Sequence, residues 1–217
     1  MSKQILFSVF AAALFWSTAV VFAQEQAPAP SFKEGDTWQF NISRKGQVGR
    51  STDQNQGTYE LSVAQGAVKI YEVNGSQKNE MPIQPTGPSQ ELLSLVGKSD
   101  EQPALKFPLS VGQKWTYEYE TTPAGQARAQ RRSAEVTVAG TEQMPTPARA
   151  FQAYKLVKSE HWSTSGTSRS KGGGSTNNGT TTYFYSPVTK SIVKSSNVND
   201  KNPETVEIEL IKFTPGN

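Results

Sequence analysis

Apolar and polar side chains alternate along most of this chain, which is the pattern of half-buried β-strands. The clearest example follows Gly112, a turn residue, and extends over residues 114–121. Aromatic side chains fall on one face of that strand, and polar side chains fall on the other. The aromatic face comprises Trp115, Tyr117 and Tyr119, and the polar face comprises Thr116, Glu118 and Glu120.

The same pattern occurs 77 positions earlier, in residues 32–43. Phe32, Gly35, Trp38, Phe40 and Ile42 correspond at that offset to Leu109, Gly112, Trp115, Tyr117 and Tyr119. A second match relates residues 60–64 to residues 135–139 at an offset of 75. We therefore expect two tandem β units that are related to each other, spanning residues 32–105 and 106–217.

Runs of alternation bounded by glycine, proline and asparagine predict about ten short strands. Gln65-Gly66 and Asn74-Gly75 are the strongest turn signals between them. The expected strands cover residues 37–43, 58–64, 67–73, 104–107, 114–121, 133–139, 150–162, 182–186, 190–197 and 204–213.

The remaining segments predict one short helix and several loops. Ser89 is a suitable N-cap for a helix over residues 90–96, and Gly97 is suited to end it. Three polar or proline-containing stretches are expected to be loops, and the last, rich in Ser, Gly and Thr, to be flexible. These loops are residues 45–57, 77–88 and 163–182.

This pattern predicts an all-β fold with one short helix, built from antiparallel and strongly curved sheets. A sandwich and a half-barrel both fit, and the pattern does not choose between them.

The N-terminal segment has the features of an export signal. Lys3 precedes a mostly apolar stretch, residues 5–22, and small residues stand ahead of an expected cleavage after Ala23. Residues 24–31 are then expected to be a disordered leader. We predict export to the periplasm or the extracellular space, with no stable membrane span after cleavage. The alternative is an uncleaved N-terminal anchor, because a segment of this length can cross a bilayer.

Composition supports a chain that folds without covalent cross-links. The chain contains no cysteine, and removal of residues 1–23 leaves 194 residues, enough to bury a substantial core. An exported protein without disulfides fits a bacterial envelope better than an animal extracellular space. The formal net charge of +3 is too small to indicate a nucleic-acid partner.

The chain offers few side chains for catalysis or for metal binding. His161 is the single histidine of the sequence, so a zinc site cannot be assembled from it. A Ser-His-Asp triad would need His161 as its base, but no Gly-x-Ser-x-Gly elbow occurs, and an exposed or half-buried strand histidine is the simpler interpretation. The aspartates are scattered, and we expect neither cofactor nor metal. Two glutamate pairs on strand faces, Glu118 with Glu120 and Glu207 with Glu209, could in principle cleave glycosides. Such alternating glutamates more often form the solvated face of a sheet.

Two further groups are candidate sites for a ligand. Arg128, Arg131 and Arg132 would form a basic patch facing an anionic envelope component, although a solvated loop is the simpler interpretation. A set of aromatic side chains either fills the core or lines an apolar cavity, and patterning cannot separate the two. This set comprises Trp38, Phe40, Trp115, Tyr117, Tyr119, Tyr183 and Tyr185.

Three stretches, residues 107–117, 151–156 and 183–194, together resemble a β-rich domain of uncharacterised exported bacterial proteins. That pattern has a Gly-x-x-Trp-x-Tyr strand, a Phe-x-Ala-Tyr-Lys strand and a Tyr-x-Tyr-Ser-Pro…Val-Lys hairpin. The resemblance covers residues 105–213, and it implies export and a β fold without implying an activity. Lys190 or Ser191 stands where the hairpin turn of that family commonly has glycine.

The leading functional hypothesis is a non-enzymatic binding or structural module of the bacterial envelope, with an unidentified protein, lipid or polysaccharide as partner. The first alternative is a carrier that encloses a hydrophobic ligand, such as a lipid, within the sheet. The second is a glycan-active enzyme that uses the paired glutamates.

Overall fold

A computed structural model describes residues 26–48, 51–85, 88–99, 104–121, 130–164, 175–199 and 205–217. The described part of the chain contains ten strands and one short helix, which confirms the predicted all-β class. In chain order the elements are β1 Thr37–Val48, β2 Ser51–Ala64, β3 Ala67–Asn74, β4 Gln77–Met81, α1 Pro88–Ser94, β5 Lys114–Thr121, β6 Gln130–Pro145, β7 Ala150–Thr164, β8 Ser175–Ser186, β9 Ser191–Asn199 and β10 Thr205–Thr214.

All the strands belong to a single antiparallel sheet with the order β4-β3-β2-β1-β10-β9-β8-β7-β6-β5. The sheet is curled and does not close, so the architecture is a half-barrel and not a sandwich. β10 lies between β1 and β9, and it therefore joins strands from both predicted units. The boundary between those units near residue 105 stays a prediction.

The turns that lead into β1 and β5 share one geometry. Gly35 has φ of 85° and Gly112 has φ of 86°, a conformation that side chains with a Cβ disfavour. The Gly35 amide donates to the carbonyl of Val63 at 2.9 Å, and the Gly112 amide donates to the carbonyl of Val138 at 2.8 Å. The sequence match between the two stretches therefore corresponds to the same local backbone arrangement.

The hydrophobic core lies on the inner face of the curled sheet. Alternate residues of the strands point to this face, and they pack against α1 and residues 104–109. Trp38 is fully buried between Phe32 and Phe213, with ring centroids 5.6 and 5.8 Å away. Its indole N–H donates to the carbonyl of Thr189 at 2.6 Å.

Helix α1 begins at Pro88, where the missing proline N–H costs no helical hydrogen bond. The helix ends at Ser94, two residues before the predicted end at residue 96. A turn then leads to the predicted stop residue, Gly97, which has φ of 66°, and the Lys98 amide donates to the carbonyl of Leu93 at 2.9 Å. This is the hydrogen bond of a glycine-terminated helix. The Ile192 amide of β9 donates to the carbonyl of Leu95 at 2.7 Å, which fixes the helix against the sheet.

Three of the predicted loops were wrong in part. β1 and β2 extend through most of residues 45–57, β4 occupies residues 77–81, and β8 begins at Ser175, within the predicted flexible loop 163–182. Residues 165–174 of that loop lie outside the described residues. Strands can be polar on both faces where backbone pairing supplies the stabilisation, and the threonines of β8 are β-branched residues that favour strands.

The predicted leader and the predicted strand over residues 104–107 were also wrong. Ala27 is buried, and it exchanges two backbone hydrogen bonds with Leu109, of 2.9 and 2.8 Å. Residues 104–107 form no strand, although Ala104 and Leu105 are buried in the core. The methyl group of Ala27 packs against the core. The two hydrogen bonds with Leu109 satisfy the backbone amide and carbonyl groups of both residues.

The carboxylate of Asp36, which has no solvent exposure, connects three distant segments. It accepts hydrogen bonds from the amides of Lys33 and Gly216, both at 2.8 Å, and from Nζ of Lys190 at 2.7 Å. Burial opposes ionisation, but these donors outweigh it and lower the pKa of Asp36. Lys190 has φ of 59°, the conformation that glycine adopts most readily, and its bond to Asp36 offsets that backbone cost.

Replacement of Trp38 by alanine should lower the free energy of unfolding by about 3–5 kcal/mol, because it removes a fully buried ring from the core. Trp38→Phe keeps most of the ring contacts and loses the hydrogen bond to Thr189, so its loss should be smaller. Urea denaturation of the purified protein measures both. A Trp38→Ala protein that unfolds at the wild-type urea concentration would contradict the packing described here.

Asp36→Asn should reduce thermal stability at neutral pH and not at acidic pH. The pKa of Asp36 is lower in the folded protein than the unfolded value of about 3.9, so ionisation stabilises the fold. That contribution is complete above the unfolded pKa and is lost as the pH falls through the folded pKa. The melting-temperature difference between wild type and variant should therefore shrink between about pH 5 and about pH 2. A difference that stays constant over this range would contradict the assignment.

Candidate functional site at the polar end of the inner face

The inner face of the sheet changes from apolar to polar along the strands. On β7, Leu156 lies in the core, and the next inner-face residues are Lys158, Glu160 and Trp162. Toward the same end of the sheet, Ile42 of β1 is followed on this face by Arg44. We call this region the polar end. Its polar and aromatic side chains are Arg44, Tyr117, Tyr119, Arg132, Lys158, Glu160, Trp162 and Asn197.

A buried ion pair lies at the centre of the polar end. Nζ of Lys158 is 2.9 Å from Oε1 of Glu160, and the two side chains are only 5% and 4% exposed. The hydroxyl of Tyr119 donates a second hydrogen bond to the same carboxylate oxygen. Ala134 of β6 lies between β5 and Glu160 in the strand register, and its small side chain leaves space for the tyrosine to reach across.

Burial and the ion pair together determine the protonation states in this cluster. Burial opposes the charge of Lys158, but Tyr183 and Glu160 outweigh that effect and raise the pKa of the amine. The phenol pKa values of Tyr117 and Tyr119 are raised above their ordinary value, mainly by burial and also by the nearby Glu160. At neutral pH the cluster therefore contains a charged lysine and two neutral phenols. Among the described residues, the buried Tyr117 hydroxyl has no hydrogen-bond partner.

A cavity of about 200 Å³ adjoins the ion pair. Gly179 of β8 stands opposite Glu160 of β7, and a Cβ at Gly179 would lie 3.3 Å from the ring of Trp162. The absence of a side chain at this position therefore lets the tryptophan lie over the strand. The cavity is lined by Arg44, Arg132, Glu160, Trp162, Gly179, Asn197 and Val206.

The two arginines that line the cavity are held by different contacts. The Arg132 guanidinium lies over the Trp162 ring, 4.4 Å from its centroid, which is a favourable cation–π geometry. Its Nε is buried and has no hydrogen-bond partner among the residues that the structure describes. Arg44 instead forms an ion pair of 2.9 Å with Glu91 of α1, so it links the cavity to the helix.

The structure places the predicted aromatic set in two environments. Most of the rings belong to the hydrophobic core, and Trp38, Phe40 and Tyr185 have almost no exposure. Tyr117 and Tyr119 are half-buried, with ring centroids 5.8 Å apart, and contact the Lys158–Glu160 region. The set as a whole does not form a single lining.

The structure does not bring the predicted arginine patch together. Arg131 and Arg132 are adjacent on β6, so their side chains point to opposite faces of the sheet. Arg131 is exposed on the outer face and pairs with Glu118, whereas Arg132 faces the inner cavity. Arg128 lies outside the described residues.

The predicted glutamate pairs lie on the outer face. Oε1 of Glu209 is 2.6 Å from Nζ of Lys194, and Glu118 pairs with Arg131. Two grooves of about 300 and 740 Å³ run over the outer face of β5–β7, and His161 lines both. Nδ1 of His161 lies 2.8 Å from Oδ1 of Asn178 in an exposed contact. These side chains already have protein partners, so we regard the inner cavity as the better candidate site.

Sequence reasoning did not identify Arg44, Lys158, Glu160, Trp162 or Asn197. The available signal was the alternation of Leu156, Lys158, Glu160 and Trp162 along one predicted strand, which places two charges on an otherwise apolar face. Ser159 and His161, which lie between the last three of these residues, are also polar, so the pattern resembled a solvated strand end. Only the pairing with β6 and β8 shows that this face is buried.

No family model and no curated protein matches the chain. Three solved structures are similar to it at low sequence identity. A candidate exported protein with a YmcC-like fold from Bacteroides fragilis is 13% identical, with a TM-score of 0.36, and the match covers 87% of this chain and 99% of that one. A candidate lipoprotein from Parabacteroides distasonis is 13% identical, with a TM-score of 0.39 and coverage of 88% and 100%. The hypothetical lipoprotein YmcC of Escherichia coli is 11% identical, with a TM-score of 0.39 and coverage of 82% and 86%. Similarity at this level carries no argument about function.

Within the described ranges, no helix is long and apolar enough to cross a membrane. Over the same residues, no group of three or more acidic or histidine side chains is arranged to hold a metal ion.

Lys158→Met should destabilise the fold by about 3–5 kcal/mol, because it leaves the carboxylate of Glu160 buried without its counterion. The double variant Lys158→Met/Glu160→Leu should recover much of that loss, since no unpaired charge remains. Lys194→Met is a matched control, because Lys194 pairs with Glu209 on the outer face with 33% exposure of each side chain, and its cost should be below about 1 kcal/mol. Urea denaturation of the four proteins provides the comparison, and equal losses for Lys158→Met and Lys194→Met would refute the buried-pair assignment.

Proposed function

We propose that the protein is an exported, non-enzymatic binding module of the bacterial cell envelope, and that its ligand binds in the cavity at the polar end. The observation that carries this proposal is the combination of a buried Lys158–Glu160 pair with an adjoining cavity lined by Arg132 and Trp162. Buried charges are costly to a fold and concentrate at functional sites. A few convergent polar groups in a concave site are also typical of ligand binding.

The N-terminal sequence supports the cellular location in this proposal. Lys3, the apolar stretch 5–22 and the small residues before Gln24 form the pattern of a cleaved signal. Cleavage after Ala23 would release a chain of 194 residues, without cysteine, into the periplasm or beyond. The resemblance to exported bacterial β-rich domains agrees with this location.

The contacts of the carboxylates support binding over catalysis. Among the described residues, Glu160 is the only carboxylate that lines the cavity, and it is held by Lys158 and by the hydroxyl of Tyr119. Glycoside cleavage requires a pair of carboxylates, and the described lining of the cavity provides one. Glu118 and Glu209, from the glutamate pairs considered above, form ion pairs on the outer face.

Packing of the core favours a polar ligand over a lipid. Trp38, Phe40 and Tyr185 are almost completely buried, and Trp38 and Tyr185 contact other core rings. These rings occupy the inner face where a sheet-enclosed lipid would lie. The cavity at the polar end is instead lined mainly by charged and amide side chains.

Native mass spectrometry of protein exported with its own N-terminal segment and incubated with periplasmic extract tests this function. We expect the mass of residues 24–217 and an additional small, polar molecule. Gly179→Val should abolish that uptake, because a Cβ at this position already approaches the Trp162 ring to 3.3 Å. Gly140→Val is the matched control on β6, where an added Cβ meets nothing within 4 Å, and it should bind like wild type.

Three results would contradict the proposal. A full-length mass recovered from the membrane fraction would refute the predicted cleavage. A bound lipid that the Gly179→Val protein takes up as well as wild type would favour the carrier hypothesis. Equal uptake by the Gly179→Val and Gly140→Val proteins would place the ligand elsewhere on the molecule.

A further inference from the structure

Among the residues that the structure describes, the charges around the polar-end cavity leave one positive charge in excess. Arg44, Arg132 and Lys158 face two carboxylates in this region, those of Glu91 and Glu160. Each carboxylate has its own partner, at 2.9 Å for both Arg44–Glu91 and Lys158–Glu160. Arg132 is therefore the cation around this cavity for which the described residues provide no carboxylate within ion-pair distance.

Arg132 is oriented for a ligand before any ligand binds. Its guanidinium is stacked on Trp162 at 4.4 Å, and stacking leaves the edge of the guanidinium plane, where the N–H groups point, available for hydrogen bonds. The Nε donor has no partner within the described ranges, and the contact from Nη2 to Oε1 of Gln130 is long, at 3.4 Å. A buried donor without an acceptor is unfavourable, so an acceptor supplied by a ligand would relieve that cost.

Glu160 does not make the cavity unsuitable for an anion. Its carboxylate accepts from Nζ of Lys158 and from the hydroxyl of Tyr119, so most of its negative charge is neutralised locally. Arg44 is held at the opposite wall by Glu91 and retains further N–H donors. A planar guanidinium binds carboxylate and phosphate groups through paired hydrogen bonds.

The size of the cavity limits what can enter it. Its volume of about 200 Å³ lies below the range of roughly 300–1,000 Å³ that encloses most small-molecule ligands. The cavity therefore accommodates one small group, either a whole small ion or the charged end of a larger molecule. Trp162 and Val206 provide apolar walls beside that group.

We propose that the polar-end cavity binds a single oxyanion group, a carboxylate or a phosphate, through the guanidinium of Arg132, with Arg44 opposite and Trp162 as the supporting wall. This inference rests on the proposed binding function and specifies its ligand chemistry. The oxyanion belongs either to a small soluble molecule or to the headgroup of an anionic lipid at the membrane surface.

The test observes Trp162 directly in the mature protein. The chain has four tryptophans, of which Trp16 belongs to the expected signal, so the indole N–H region of a ¹⁵N spectrum should contain three signals. Trp162→Phe assigns the relevant one, and the indole of Trp38, buried and bonded to Thr189, reports on folding. Inorganic phosphate and succinate are the probes, and uncharged succinamide at the same ionic strength is their control.

We expect phosphate or succinate to shift the Trp162 signal saturably, and succinamide to leave it unchanged. Arg132→Gln should weaken binding by at least about tenfold, since a charge-assisted hydrogen bond is removed. Arg131→Gln is the matched control: it makes the same charge change one residue away on the outer face, and it should alter affinity by less than about twofold. Arg132→Lys keeps the charge without the planar fork, and its affinity should be intermediate.

Sedimentation with vesicles of phosphatidylglycerol, compared with phosphatidylcholine, separates the two sources of the oxyanion. If the protein binds the anionic vesicles and this binding depends on Arg132, the site is assigned to a lipid headgroup. If free phosphate or succinate binds saturably and the vesicles do not bind, the site is assigned to a soluble ligand.

The oxyanion proposal is overturned if neither probe shifts the Trp162 signal and the protein does not sediment with the anionic vesicles. It is also overturned if succinamide binds as well as succinate, or if Arg131→Gln and Arg132→Gln weaken binding equally. In that event an adduct that still depends on Gly179 would preserve the proposed binding function with a neutral ligand. If the Gly179-dependent adduct is absent as well, the binding function is also refuted.

Discussion

The half-barrel depends on the attachment of the start of β1 to the turn between β8 and β9. The indole of Trp38 donates to the carbonyl of Thr189, and the carboxylate of Asp36 accepts from Lys190 and from the amide of Gly216. These contacts connect positions more than 150 residues apart in the sequence. They lie at the end of the sheet where β10, the strand between β1 and β9, also finishes, so the same group of contacts fixes both halves of the fold.

Apolar side chains fill the inner face near this attachment, and the opposite end of the inner face has a different composition. Core rings, α1 and residues 104–109 occupy the first part of the concave surface. Farther along the strands the inner-face residues become Lys158, Glu160, Arg132 and Arg44, which cannot be buried without partners. The ion pair satisfies two of them and α1 satisfies a third. Arg132 is the one of these four side chains that the described protein groups satisfy least completely.

Local sequence patterns predicted the apolar strands well and the polar strands poorly. The strand after Gly112 and the helix ended by Gly97 were both predicted, because each combines a periodic pattern with a glycine that requires positive φ. β8 was missed over residues 175–181 because its Ser, Asn, Gly and Thr residues are equally common in loops. Long-range pairing with β7 and β9 stabilises that strand, and such pairing is not encoded in any short window of sequence. Ala27 was assigned to a disordered leader for the same reason, since its partner Leu109 is distant in the chain.

The amino-acid sequence by itself determined the all-β class, the position of the helix and the aromatic composition of the core, because these follow from periodicity and from the backbone preferences of individual residues. Only the tertiary structure decided that the sheet is a half-barrel and that Arg131 and Arg132 serve different faces of β6. It also decided that Lys158 and Glu160, polar residues in a polar stretch, are buried beside a cavity. The physical reason is that burial depends on which strands become neighbours, and β10, the last strand in the sequence, joins the first strand to the ninth.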